Sequence, residues 1–112
     1  MSLPVLSRRL VLEAPVRLPD GAGGAIESWS TLGALWADLR PRTGRERAEA
    51  GEPVSTMSYR IVVRGAPVGS VQRPKPEQRF RDGARLYLIR AVAEHDPAGR
   101  YLVCFADEEV AA

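Results

Sequence analysis

Apolar and polar positions alternate along most of this chain, with a period of two and in short segments. From Arg8 to Leu18 (RRLVLEAPVRL) the alternation predicts a strand, and Pro15, which has no N–H to give a ladder, marks an edge or a bulge. The Asp20-Gly21 and Gly23-Gly24 pairs in PDGAGGAIES predict a turn, because glycine reaches positive φ at little cost. ESWSTLGALWADLRP follows as a second strand region. Trp29 and Trp36 lie seven apart there, on opposite faces of an unbroken strand, and a bulge at Gly33 returns them to one face. In TMSYRIVVRG, Tyr59, Ile61 and Val63 share one face, and Arg60 and Arg64 take the other. APVGSVQRPKPEQRF is too rich in proline and glycine to be regular. RDGARLYLIRAVAEHD opens at an Asp82-Gly83 turn and is strand-like through Val92. DPAG makes a tight turn into RYLVCFADEE, so Arg85 to Glu94 pairs with Arg100 to Asp107 as a hairpin.

Nine prolines and ten glycines spread along the chain leave little room for long helices. The pattern predicts an all-β fold, a small antiparallel barrel or sandwich of about five to six strands.

One stretch breaks the alternation. Between Pro41 and Pro53 the chain is almost wholly polar, with Arg42, Arg45, Glu46, Arg47, Glu49 and Glu52 close together. Within it, TGRERAEAGE carries the marks of a turn or two of helix. Thr43 caps it, Glu46 stands three residues on as in a capping box, and Gly51 ends it. So short a helix holds only when packed. The segment reads as a short helix or mobile loop, protruding over 41–56 from a single domain that spans 1–112. Long connections in compact domains tend to carry function, and mixed charge suits docking onto identical neighbours, arginine of one copy to glutamate of the next.

Composition narrows the class. At 112 residues, 45% hydrophobic and 27% charged, the chain supports one modest core. No apolar run approaches the length of a membrane span, and the interrupted apolar stretches of MSLPVLSRRLVLEAP suggest neither signal peptide nor anchor, so the expectation is cytoplasmic. The net charge of +2 comes from interleaved signs and does not by itself imply nucleic acid. Every basic residue but Lys75 is arginine, for which high-GC codon usage is the plainest cause.

Candidates for chemistry are few. One cysteine and one histidine give neither an internal disulfide nor a zinc cluster. His95, beside the Asp96-Pro97 turn, is expected to face solvent; Cys104, inside an apolar strand, is expected to be buried and inert. Ser55, Thr56 and Ser58 have no evident base, and Glu108-Glu109 reads as a solvated tail. DGAGG lacks the Lys-Ser/Thr of a phosphate loop. No catalytic residue, cofactor or metal is therefore expected, and the protein is read as no enzyme. Arg40, Arg42, Arg45 and Arg47 could follow a phosphate backbone, but Glu46, Glu49 and Glu52 dilute them. The alternative reading is a small β-barrel that binds single-stranded nucleic acid. It needs exposed aromatics on a basic face, and most of the two Trp, three Tyr and two Phe sit in apolar patterns suited to a core. Trp29, Trp36, Leu39, Tyr59, Ile61, Val63, Tyr87, Ile89, Val103 and Phe105 are the candidates for core or inter-subunit packing.

Taken in order, DGAGGAIESW, WADLRPRTGRERAEAG, YRIVVRG, FRDGARLYLIRAV and RYLVCFADEE resemble the phage head-tail joining proteins, the stopper or adaptor family of long-tailed phages and phage-like gene transfer agents. The likeness runs from about Arg8 to Glu109. It implies a small β-barrel that assembles as a six- or twelve-fold ring below a portal, extends the DNA channel, retains packaged DNA and docks the tail. The implied partners are its own copies, portal or adaptor proteins on the head side, tail-completion or tail-tube proteins on the tail side, and double-stranded DNA in passage, with no membrane. Such a protein would be cytoplasmic during assembly and then part of the particle. The family has no catalytic residues to carry over. Its long loop between the second and third strands points toward the channel, and Pro41 to Thr56 matches it here. One departure is PVGSVQRPKPEQRF, whose prolines weaken strand pairing.

Overall fold

The computed structural model describes residues 3–42 and 57–109. Six strands, β1 (Arg8–Pro19), β2 (Ala25–Pro41), β3 (Ser58–Arg64), β4 (Arg79–Asp82), β5 (Arg85–Glu94) and β6 (Tyr101–Glu109), close into one antiparallel barrel in the order β1-β2-β3-β6-β5-β4. Among the described residues there is no helix, and so none long and apolar enough to cross a membrane. Closure leaves the barrel wall without a free edge.

Alternation decides what points inward. Leu10 and Leu12 of β1, Ala37 of β2, Tyr59, Ile61 and Val63 of β3, Phe80 of β4, Tyr87 and Ile89 of β5, and Leu102, Cys104 and Ala106 of β6 fill the interior. Full burial of each large side chain contributes about 1.5–3 kcal/mol. The fill leaves no lumen, so nothing passes through one barrel. β4 is so short because the prolines of 67–76 hold the chain before it irregular. Even so, Ile89 accepts from Glu77 N (3.1 Å) and donates to Gln78 O (2.9 Å), which extends the β5 pairing past the end of β4.

The two ends of the barrel differ. At one end β2 finishes and β3 starts. At the other, the 65–78 connection crosses from β3 to β4 and buries Pro74, while the β1–β2 hairpin continues outward. β4 pairs with β1 only over Val11, Leu12 and Glu13, and β3 pairs with β2 only over Ala37 to Pro41. Residues 14–19 and 25–32 therefore leave the barrel as a two-stranded arm. β2 alone has 17 residues, which at about 3.3 Å each spans roughly the 53 Å length of the molecule.

A bulge sits at the arm's base. Leu12 pairs with Gly33 and Glu13 with Thr31, so Leu32 is the extra residue, and Gly33 takes a φ of 154° that other residues avoid. The bulge puts Trp29 and Trp36 on one side, as the spacing suggested, but that side is the outer one. Trp36 is 55% exposed and Trp29 half-buried, so neither belongs to the core. Val103 and Phe105 also take the outer phase, where Val103 is nonetheless buried, 4% exposed, and Phe105 is half-buried. Every position from Tyr101 to Ala106 is apolar or aromatic, in both phases, and the inward phase is Leu102, Cys104 and Ala106.

Candidate functional site

The charged segment leaves the barrel from a built collar. Its first described root is held where Arg42 N donates to Ser58 O (2.9 Å), and its last where Glu108 N donates to Met57 O (2.9 Å). Behind them the Ser58 hydroxyl donates to Asp107 (2.7 Å), whose other oxygen meets Arg90 Nε at 3.0 Å. Phe105 lies on the outer wall with the guanidinium groups of Arg42 and Arg60 at 5.3 and 5.6 Å from its ring centroid. Of the predicted loop residues, the structure describes Arg42 alone. Arg45, Glu46, Arg47, Glu49 and Glu52 lie outside the described residues, as does the capped turn expected from Thr43 to Gly51.

The mouth of the barrel beside these roots is closed by a polar lid. Arg85 forks onto Glu108 (Nε–Oε2 2.8 Å, Nη2–Oε1 3.0 Å) and donates to the Tyr59 hydroxyl (3.0 Å), which itself donates to Glu108 (3.1 Å). Tyr59 meets Tyr87 edge to face at 5.1 Å. The hydrogen bond from Arg85 holds the Glu108 carboxyl below its ordinary value, and the same bond raises Arg85. Glu108 is thus a fixed lid residue and no solvated tail. Its neighbour Glu109 remains exposed.

A second charged clamp braces the arm. Glu13, almost fully buried on the outer wall, accepts from Arg79 (2.8 Å) and Arg81 (3.0 Å). Burial pushes its carboxyl up, but the two arginines outweigh that and leave it lowered. Arg79 also lies over Trp29, 3.9 Å from the ring centroid, so one guanidinium ties the barrel to the arm's outer face. At the arm's tip, Asp20 accepts from the N–H groups of Ala22 (2.8 Å) and Gly24 (3.0 Å), which fixes the predicted turn.

None of this resembles a reaction centre. Cys104 is sealed in the core, where burial pushes its thiol up to about 12. His95 does not face solvent freely: it is half-buried against Tyr101, ring to ring at 6.5 Å. The Ser58 hydroxyl is spent on a carboxylate, and no described cluster of His, Cys, Asp and Glu could hold a metal. What the molecule offers is two differently built ends.

Over residues 1–109 the sequence matches the phage head completion protein family. The chain belongs to that family. It is similar at 50% identity to a chain in the virion of a native gene transfer agent particle, covering 98% of this chain and all of that one, with a TM-score of 0.75. The solution structure of a Shigella flexneri 2a protein shares the fold (TM-score 0.72, 96% of each chain) at 20% identity. No curated protein sequence matches the chain. The resemblance read from the ordered segments thus agrees with the family, and the small closed barrel with its fold.

Proposed function

We propose that this chain, a member of the phage head completion protein family, is a non-enzymatic connector subunit of the stopper type. Copies form a ring below the portal, extend the DNA channel, help retain DNA and receive the tail. Residues 41–56 form a protruding loop that faces the passage or the neighbouring copy, with Arg42, Arg45, Glu46, Arg47, Glu49 and Glu52 as its charged residues.

The observation that carries this reading is the sealed barrel with its loop rooted at one end. A filled interior cannot conduct DNA, so any channel runs between copies. Balanced charge in the loop suits a passage through which DNA later slides better than a dense basic patch would. A small core also gains from neighbours.

The test is removal of Arg45 to Glu52, whose flanking roots are fixed by backbone hydrogen bonds. Particles carrying the deletion should assemble heads that lose DNA or fail to join tails. Normal joining and DNA retention would end the loop assignment. Tight, saturable binding of single-stranded DNA at physiological salt, read from Trp36 fluorescence, would instead favour the nucleic-acid-binding alternative.

A further inference from the structure

The arm carries an apolar stripe whose outer end the barrel does not cover. Along β1, Leu10, Leu12, Ala14, Val16 and Leu18 all fall on one face; the first two are sealed in the core. Leu18 pairs with Ile26 across the arm, and these two remain 50% and 58% exposed. The interior face of the barrel thus continues onto a projecting ribbon, with Ala14 and Val16 half-buried and Leu18 and Ile26 left open at its outer end. An isolated ribbon of two strands gains little by exposing such a face, since it is marginally stable unless packed.

A recess of matching character lies on the outer wall. It holds ≈ 240 Å³ and is lined by Leu6, Ala34, Trp36, Arg64, Ala66 and Gln72. Its rim is basic: Arg9 stands opposite Trp36 in the ladder, Arg64 lines the wall, and Arg73 donates to Ala66 O at 2.8 Å. Neither Arg9 nor Arg64 has an ion-pair partner among the described residues. Arg17 and Glu27 pair across the ladder on the arm's other face, and from Leu18 to Ile26 the one charged side chain is Asp20, so the tip is acidic.

We propose that the arm of one copy seats in this recess of the next, Leu18 and Ile26 against Trp36 and Ala66, with Asp20 at the arm's tip facing the basic rim. The proposal rests on the connector reading and specifies how its copies touch. A chain cannot fill its own recess, because Ala34 and Trp36 belong to the same hairpin as the tip. Ile26 lies eight to ten residues away along β2, about 30 Å at strand rise. The contact is therefore between copies, and it joins two different surfaces. Such head-to-tail contacts generate rings when the rotation closes. One ribbon tip buries far less than the roughly 1,600 Å² of a standard stable interface, so the contact should hold only where a particle already gathers the copies.

Cysteine pairs in assembled particles test it cleanly, since native Cys104 is fully buried. Ile26→Cys with Gln72→Cys, and separately Leu18→Cys with Ala66→Cys, should give a ladder of covalent multimers on mild oxidation, whereas each single-cysteine variant should stay monomeric. The Leu18→Glu, Ile26→Glu double variant should fold with unchanged Tm as an isolated chain yet fall at least tenfold in particle occupancy. No ladder from either pair in particles that contain the protein, or full occupancy by the charged variant, would overturn the arm contact and leave the connector reading standing. Particles that lack even the wild-type protein would overturn the connector reading itself, and the arm contact with it.

Discussion

Glu13 shows what one buried carboxylate does in this wall. It interrupts an otherwise apolar row of β1, and its charge is tolerated because Arg79 and Arg81 both reach it. Removing that charge leaves a half-buried Arg79 without its partner, so Glu13→Gln should cost about 2 kcal/mol in chemical denaturation at neutral pH. The pH dependence follows from the direction of the shift. Glu13, Glu108 and Asp38, which accepts from Arg40 Nε and Val5 N at 3.0 Å each, are all lowered in the folded state, so each contributes stability above its ordinary value and loses that contribution as the pH falls through the folded one. The wild type should accordingly lose stability from about pH 4.5 downward. Glu13→Gln should lose less over that range, as read by melts at pH 7 and pH 3. Equal acid losses in both proteins would mean that the clamp does not carry this charge.

The strands show where the sequence was informative and where it was silent. In β3 the phase of Tyr59, Ile61 and Val63 is apolar throughout, whereas the other sets Val62 among Ser58, Arg60 and Arg64, so alternation chose the inward face. In β6 both phases are apolar, and the choice fell to the neighbours that Leu102, Cys104 and Ala106 meet across the barrel. Phe80 and β4 were hidden by the prolines before them. The arm could have been found: the Ala14, Val16, Leu18 alternation outlasts the register any barrel partner could cover. Gly33 was legible as a bulge from the tryptophan spacing, and its φ of 154° explains the residue type. A Cβ there has open space but a strained backbone. Gly33→Ala should therefore cost about 1–3 kcal/mol, and it should do so by disturbing the arm's base rather than the core. Denaturation measures the loss, and an unchanged near-ultraviolet signal from Tyr59 and Tyr87 beside a shifted Trp29 signal would locate it. A neutral substitution would show that the bulge relaxes freely.

At the scale of the whole molecule, the closed barrel and the open arm should differ sharply in how they open. β3 is bonded on both sides, to β2 and to β6, and its inner face is wholly buried, so its amides exchange only when the barrel unfolds. Beyond Glu13, β1 is bonded on one side alone, and beyond Ala37 toward the tip so is β2. The Arg79–Trp29 stack and the Asp20 turn hold the arm's shape, but they bury too little to prevent local opening. In the isolated chain, hydrogen exchange should therefore run orders of magnitude faster in 14–19 and 25–31 than in 59–63. In assembled particles the same arm amides should slow toward the barrel's rate, because a neighbour that covers the apolar stripe also removes the ribbon's freedom to open. Arm amides that exchange equally fast in both states would mean that the particle leaves this face bare, and the uncovered stripe on β1 would then need a different occupant.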